Sequence, residues 1–118
     1  MRVLIVDDSK AMRMMVRRTL RQVGVDCDVD EAENGAAALV SMQKAMPDVV
    51  FSDWNMPEMS GIDFLREVRH RGWRTPFVLV TSEGSADMRA MAMKEGANYL
   101  VQKPFDAGDF SMVLSQIK

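Results

Sequence analysis

Five short apolar segments alternate along the chain with longer stretches in which apolar residues recur every three or four positions. The short segments contain many β-branched residues and are bounded by polar or turn-forming residues, which is typical of buried strands. Because strands and helices alternate, the pattern predicts an α/β fold with a mainly parallel sheet, right-handed crossovers and helices on both faces. The predicted strands occupy residues 3–6, 27–32, 49–52, 77–81 and 99–102.

Amphipathic helices are predicted in the intervening stretches and at the end of the chain. Pro47 stops the second helix, and Ser60 is a suitable N-cap for the third. The methionines mostly fall at helical positions, which predicts that they are adaptable core residues. The apolar positions of the five helices are Met12, Met15, Val16, Thr19, Leu20 and Val23, then Leu39, Met42 and Met46, then Ile62, Leu65 and Val68, then Met88, Met91 and Ala92, and finally Phe110, Val113, Leu114 and Ile117.

Length and composition exclude several classes of protein and of metal site. A chain of 118 residues fits one domain over residues 1–118 with a substantial core. Its net charge of -2, from 15 basic and 17 acidic side chains, gives no electrostatic case for direct nucleic-acid binding. Cys27 is the only cysteine, so an internal disulfide and a thiolate metal site are excluded and a reducing compartment is expected. His70 is the only histidine, so multi-histidine metal sites are excluded. We interpret His70 as a solvated surface residue.

The first apolar segment ends at Asp7 and is too short for a signal-peptide core, and no run approaches the length of a membrane span. We therefore expect a cytoplasmic protein that does not insert into a membrane.

Polar residues that could bind a ligand or take part in a reaction follow four of the predicted strands. The loops after the carboxyl ends of parallel strands share one edge of the sheet, and ligands bind there. The sequence therefore predicts a cluster of three carboxylates, two hydroxyls and one ammonium. Its members are Asp7, Asp8, Asp53, Thr81, Ser82 and Lys103.

Converging carboxylates repel one another and require a shared cation. Mg²⁺ fits, because it takes one or two carboxylates, keeps water ligands and accepts phosphate oxygen. A metal ion and Lys103 on either side of Asp53 would stabilise a phosphoryl group in transfer. The aspartate can itself be the covalent acceptor, and the Thr81 hydroxyl can hydrogen-bond the attached group. This combination predicts a phosphorylation switch.

Each residue also has a purely structural interpretation. Residues 7–9 could cap the first helix, and Asp53 could be a turn residue before Pro57. Lys103 taken alone would be a solvated charge. Arginines 13, 17, 18 and 21 of the first helix are interpreted as a solvated face, with docking of a kinase or motor component as the alternative.

The ordered set of motifs resembles the bacterial response-regulator receiver family, in particular its single-domain chemotaxis members. The resemblance covers essentially the whole chain and rests on residues 6–9, on residues 52–57 with Gly61, on residues 80–81 and on residues 102–105. It implies a flavodoxin-like (βα)5 fold with a doubly wound, five-stranded parallel sheet in the order 2-1-3-4-5.

The resemblance also implies a role for individual residues. Asp53 would be the phosphoacceptor, Asp8 and Asp53 would bind Mg²⁺ directly, and Asp7 would hold a metal-bound water. Asn55 would contribute its backbone carbonyl to the metal, and Lys103 would pair with phosphoryl oxygens. A cis bond is implied between Lys103 and Pro104. The remaining implied residues are Thr81 and Tyr99 as the coupled switch pair, Asn55, Ser82 and Glu83 as tuning positions for loss of the phosphoryl group, and Trp54 near the site entrance.

The implied function is a two-component response regulator that a sensor histidine kinase phosphorylates. Phosphorylation would remodel the surface of helix 4, strand 5 and helix 5, where a downstream target such as a flagellar motor component or a phosphatase would dock. The protein would be a monomeric switch with slow autodephosphorylation rather than a turnover enzyme. Two positions depart from the family pattern, since Ser82 stands where Ala or Gly is usual and Ser60 replaces a common Asp.

Competing functions remain open at this point. A haloacid-dehalogenase-type hydrolase would need a general acid at position 55, which is Asn. A flavodoxin-like cofactor binder would need a loop that attracts phosphate, whereas Asp7 and Asp8 would repel it. A phosphorelay intermediate, or the isolated receiver of a DNA-binding regulator, is the alternative to a chemotaxis role.

Overall fold

Strand and helix alternate five times in the computed structural model, which describes residues 1–117. The predicted strands and helices are therefore confirmed, with shifts of one to a few residues at their ends. The elements are β1 (Arg2–Val6), α1 (Lys10–Val23), β2 (Asp28–Ala32), α2 (Gly35–Lys44), β3 (Val49–Asp53), α3 (Gly61–His70), β4 (Phe77–Thr81), α4 (Ala86–Lys94), β5 (Tyr99–Gln102) and α5 (Ala107–Gln116).

All five strands form one parallel sheet in the order β2-β1-β3-β4-β5. This confirms the predicted fold class and strand order. Because the strands are parallel, the loops after β1, β3, β4 and β5 emerge at the same edge of the sheet. The order also reverses between β1 and β3, which places the loops after these two strands at the switch point.

Two apolar clusters pack on opposite faces of the sheet. One contains buried residues of α2, α3 and α4, and the other contains buried residues of α1 and α5. Alternate strand residues supply the two faces, as Leu4 and Val6 lie in the first cluster and Val3 and Ile5 lie in the second. Burial on both faces explains why the central strands β1, β3 and β4 contain continuous apolar runs rather than alternating patterns.

Helix α2 ends earlier than the sequence predicts. Its last residue is Lys44, and Met46 lies outside the helix with 43% of its surface exposed. Met46 precedes Pro47, and the proline ring makes helical geometry unfavourable for the residue before it. By contrast, Ser60 caps α3 as predicted, because its side chain accepts a hydrogen bond from the Asp63 amide.

The prediction that the methionines fill the core is wrong for most of them. Seven of the twelve are exposed, including Met15, which the helical pattern placed on the buried face of α1. Met42 and Met56 are buried as predicted. Periodicity misplaces methionine because its flexible side chain is tolerated on either face of a helix. His70 is exposed, as expected.

Within residues 1–117, none of the helices is both long enough and apolar enough to cross a bilayer.

Glu58, in the loop between β3 and α3, has a φ of 67°. Left-handed backbone is unfavourable for a residue with an ordinary side chain and is better tolerated by asparagine. We expect Glu58→Asn to raise the free energy of unfolding by about 0.5–1 kcal/mol, measured by urea denaturation. Glu33→Asn makes the same change at another exposed position and is the control. An equal effect of both variants would show that charge, and not backbone strain, is responsible.

Candidate functional site

Three carboxylates meet at the edge of the sheet where β1 and β3 end. Asp7 and Asp8 follow β1, and Asp53 is the last residue of β3. One oxygen from each of the three lies within 4.8 Å of the others. Asp7 and Asp53 are buried, whereas Asp8 is exposed. The predicted clustering of these side chains is therefore present, and one of the three is open to solvent.

Asp7 is held by several hydrogen bonds. Its amide donates to the Ala32 carbonyl at 3.1 Å, which continues the ladder between β1 and β2 by one step. Its Oδ1 accepts from the Ser9 amide at 2.9 Å. Ser9 also caps α1, since its Oγ accepts from the Met12 amide. The capping role that the sequence offered as an alternative belongs to Ser9, and the Asp7 carboxylate is left facing the other acids.

Burial raises the pKa of the Asp7 carboxyl to about 6, and repulsion by Asp53 acts in the same direction. The Ser9 amide and the Lys103 ammonium oppose this shift without cancelling it. The ionised form of Asp7 is therefore unfavourable in this site. A cation among the carboxylates would remove that penalty.

Lys103 brings a positive charge to the acidic cluster. Its Nζ lies 3.2 Å from Asp53 Oδ1 and 4.0 Å from Asp7 Oδ2. The main chain of Lys103 is fixed by a hydrogen bond from its amide to the Thr81 carbonyl at 2.7 Å. The Lys103–Pro104 peptide bond is cis, as the resemblance implied. An ammonium is thus directed at the Asp53 carboxylate from the strand pair β4–β5.

Thr81 ends β4 and is fully buried, and its Oγ1 accepts a hydrogen bond from the Glu83 amide at 3.1 Å. Ser82 and Glu83 are exposed in the loop that follows. Asn55 is exposed in the loop after β3. These residues lie at the predicted edge of the sheet, and only the Thr81 side chain among them is buried.

Gly61 allows the start of α3 to approach the end of β3. A β-carbon at this position would overlap the Asp53 carbonyl oxygen and press on the Trp54 backbone. The Gly61 amide instead donates to the Trp54 carbonyl at 2.7 Å. The close approach requires glycine because it has no side chain. The hydrogen bond and the close approach together fix the backbone of the loop that follows Asp53.

Trp54 does not lie at the entrance of the site. Its side chain is buried in the apolar cluster beneath α2, α3 and α4, together with Met56. Trp54 is therefore a packing residue of the core. Successive strand residues point to opposite faces, so the residue after Asp53 faces the core.

Tyr99 begins β5 and is half-buried against the cluster beneath α1 and α5. Its hydroxyl donates to Gln116 Oε1 at 3.3 Å. It pairs with Val78, whereas Thr81 pairs with Gln102 at the other end of the two strands. The two residues that the resemblance couples thus lie at opposite ends of β4 and β5, joined by the strand pair.

The donor set suits a hard divalent cation. The candidate side-chain ligands are all carboxylate oxygens, and three carboxylates face the single ammonium of Lys103. Mg²⁺ prefers such oxygen ligands and retains waters on its open side, which the exposure of Asp8 permits. The residues present therefore fit Mg²⁺.

Arg13 is a residue whose place the sequence analysis missed. Its guanidinium contacts Glu31 at 2.8 Å and the Asp7 carbonyl at 2.7 Å, and only 14% of its side chain is exposed. The interpretation of the α1 arginines as a solvated face is wrong for Arg13. The acidic residue Glu31 could have indicated this contact. It lies near the end of β2, which pairs with β1, and α1 follows directly after β1 in the chain.

Comparison with known proteins yields one consistent set of matches. Residues 3–114 match the family described as response regulator receiver domain. Chemotaxis protein CheY1 of Helicobacter pylori is 40% identical over 108 residues, which cover 89% of this chain and 86% of that protein. Chemotaxis protein CheY-3 of Vibrio cholerae is 36% identical over 119 residues, covering 99% and 91%. The solved structure of Vibrio cholerae chemotaxis protein CheY4 superimposes with a TM-score of 0.88 at 36% identity, covering 99% of this chain and 98% of that one.

Proposed function

The chain belongs to the response regulator receiver domain family, and on that premise we propose that Asp53 is its phosphoacceptor, that Mg²⁺ is its cofactor and that residues 1–118 act as a single receiver. One observation carries the proposal. Lys103 Nζ lies 3.2 Å from Asp53 Oδ1 at the place where Asp7 and Asp8 also gather. The buried Asp53 carboxylate lies between the Lys103 ammonium and two further carboxylates that could bind a cation. A carboxylate in these surroundings is suited to receive a phosphoryl group.

The proposed reaction is a single group transfer. An Asp53 carboxylate oxygen forms a bond to phosphorus while the phosphorus–nitrogen bond of a phosphohistidine on the kinase breaks, and the imidazole, already protonated at its other ring nitrogen, leaves as the neutral base. Water later cleaves the acyl phosphate and returns the carboxylate and inorganic phosphate. Lys103 is placed to hold a phosphoryl oxygen in both steps, since its ammonium already contacts the acceptor.

The metal would be held by Asp8 and Asp53 directly, by Asp7 through a water and by the backbone carbonyl of Asn55. When bound, Mg²⁺ supplies positive charge to the equatorial phosphoryl oxygens. Asp7 is orientated for this role by the Ser9 amide, which occupies its Oδ1 and leaves Oδ2 on the side of Lys103.

The switch would involve Thr81 and Tyr99. The Thr81 hydroxyl accepts from the Glu83 amide and retains its own proton for donation, so an Asp53-bound phosphoryl oxygen is a suitable new acceptor. Such a contact would exist only in the modified state. Movement of Thr81 would reach Tyr99 through the β4–β5 pair and alter the surface of α4, β5 and α5. Asn55, Ser82 and Glu83 would tune the hydrolysis rate from the rim.

The proposed setting is a cytoplasmic two-component pathway of the chemotaxis type. The phosphodonor would be a sensor histidine kinase, and the target a protein that docks on the α4–β5–α5 surface. This assignment is supported by the names of the relatives, which are chemotaxis proteins that this chain matches over most of their length. The protein would act as a monomeric switch whose only reactions are its own phosphorylation and slow dephosphorylation.

The proposal is tested with the purified chain and a small-molecule phosphodonor, such as acetyl phosphate. With Mg²⁺ present, intact-mass spectrometry should show the addition of one phosphoryl group per chain. Addition of a chelator should suppress the gain in mass, because the carboxylates would again repel the incoming group. If the chain gains no phosphoryl group with Mg²⁺, the proposed function is wrong.

Lys103→Ala should slow phosphorylation by roughly ten- to a hundredfold while Mg²⁺ still binds. The substitution removes one charged donor at the phosphoryl oxygens and leaves the candidate metal ligands in place. The rate of mass gain measures the first effect, and a Mg²⁺ titration measures the second. Lys94→Ala, at the exposed end of α4, is the matched control. An unchanged phosphorylation rate in Lys103→Ala would contradict the role given to its ammonium.

A further inference from the structure

We propose that Arg13 is a positioning residue for the metal site, acting through the peptide that joins Asp7 to Asp8. The proposal rests on the proposed function, because it takes these two aspartates as ligands of Mg²⁺ or of its waters. Arg13 itself does not contact the carboxylates. It lies on α1, one turn after the Ser9 cap, and reaches back to the backbone of the acidic pair.

The Arg13 side chain is fixed at two points. Its Nε donates to Glu31 Oε1 at 2.8 Å, and its Nη1 donates to the Asp7 carbonyl at 2.7 Å. The side chain is only 14% exposed. A guanidinium presents its donors in a rigid plane, so the contact with Glu31 sets the position of the nitrogen that holds the carbonyl. The structure thus links β2, α1 and the end of β1 through one side chain.

The bond to the Asp7 carbonyl orientates Asp8 as well. The Asp7 carbonyl and the Asp8 amide belong to one planar peptide unit, so fixing the carbonyl fixes the direction in which the chain enters Asp8. The other side of Asp7 is already held, because its amide donates to the Ala32 carbonyl and its Oδ1 accepts from the Ser9 amide. Because Asp8 is exposed, the direction of its side chain toward the cluster depends on the orientation of this peptide.

Arg17 provides a matched comparison within the same network. It lies one turn further along α1, and its Nε donates to the other oxygen of Glu31 at 2.6 Å. Its remaining hydrogen bond goes to the Val29 carbonyl and not to the acidic pair. Removing either arginine therefore deletes one positive charge and one contact with Glu31. Only the removal of Arg13 releases the Asp7 carbonyl.

Charge and positioning predict opposite effects on metal binding. Loss of a nearby positive charge, by itself, would strengthen the attraction of the site for a cation. Loss of a group that orientates metal ligands weakens binding, typically by ten- to a hundredfold when the group contacts the ligand residue directly. The sign of the change in Mg²⁺ affinity therefore separates the two explanations.

The test is a titration of the isotopically labelled 118-residue chain with MgCl2, followed by NMR. We expect Arg13→Gln to raise the Mg²⁺ dissociation constant by about tenfold and to shift the Asp7 carbonyl carbon resonance, which reports directly on the lost hydrogen bond. Arg13→Lys, which can keep one donor near the carbonyl, should recover part of the affinity. Arg17→Gln should leave the Asp7 carbonyl resonance in place and the dissociation constant equal to or slightly below that of the wild type.

The outcomes distinguish this inference from the proposed function. A wild-type protein that binds no Mg²⁺ overturns both. Wild-type binding with an unchanged or tighter dissociation constant in Arg13→Gln overturns the positioning role alone. Equal weakening in Arg13→Gln and Arg17→Gln would assign the effect to the Glu31 network and would also overturn it. If Arg13→Gln does not fold, the same comparison is made with Arg13→Met, which also removes the donor to the Asp7 carbonyl, and an unchanged dissociation constant in that variant overturns the proposal.

Discussion

Asp53→Asn should abolish covalent phosphorylation of this chain while leaving its fold intact. The amide cannot supply the carboxylate oxygen that forms the bond to phosphorus. The amide oxygen can still accept the hydrogen bond from Lys103 that Asp53 Oδ1 accepts at 3.2 Å, so the local packing has a replacement contact. After incubation with Mg²⁺ and a small-molecule phosphodonor, intact-mass spectrometry should show no added phosphoryl group. Peptide mapping of the wild-type protein should place the group on Asp53.

Asp87→Asn is the control for this loss. Asp87 is an exposed carboxylate in the first turn of α4, so the same chemical change is made outside the acidic cluster. This variant should be phosphorylated at the wild-type rate. Phosphorylation that persists in Asp53→Asn, or that maps to Asp7 or Asp8 in the wild type, would contradict the assignment of the acceptor.

The central strands β1, β3 and β4 were predictable from the sequence because burial on both faces makes them apolar over most of their length. The edge strand β2 is mostly polar and only partly buried. Residues 77–81 and 99–102 were predicted with the bounds that the structure has, and the other strands differ by one residue at an end. The helices were less predictable, since only one stripe of each is buried. Met15 fits that stripe by spacing but is exposed, and no local signal in the sequence distinguishes it from Met42. Met46 also fits the spacing, and only the Pro47 that follows it indicates that it lies beyond the helix.

The candidate site was predictable where strand ends determine it. Asp7, Asp53 and Lys103 each lie at the end of a strand of the same parallel sheet or directly after it, so topology alone brings them to one edge. The roles of Arg13 and Trp54 were not predictable in this way. Their surroundings depend on side-chain direction, which decides that Arg13 turns inward to Glu31 and Asp7 and that Trp54 faces the core. Spacing along the chain does not contain that information.

Asp7→Asn should raise the free energy of unfolding at neutral pH when Mg²⁺ is chelated. Burial and the neighbouring Asp53 raise the pKa of Asp7 in the folded protein to about 6, from 3.8 in the absence of these effects. Ionised Asp7 therefore destabilises the folded state by about 2 kcal/mol, after allowance for solvent screening at the open side of the site. Asparagine removes the charge and keeps an oxygen for the Ser9 amide, which Asp7 Oδ1 now accepts at 2.9 Å. Urea denaturation of both proteins measures the difference.

The pH dependence of this gain follows from the direction of the shift. Because the folded-state pKa is raised, the unfolded chain loses the Asp7 proton first as pH rises, and the stability of the wild type falls between about pH 4 and about pH 6. The advantage of Asp7→Asn should therefore be absent below about pH 4, grow across this window and be complete above about pH 6. Asp87→Asn, measured in parallel, controls for the loss of one negative charge from the surface. Saturating Mg²⁺ should stabilise the wild type by mass action and reverse the order of the two proteins at neutral pH. An advantage of Asp7→Asn that is constant from about pH 4 to about pH 7, or that Mg²⁺ leaves unchanged, would show that neither desolvation nor charge repulsion at Asp7 controls the stability of this site.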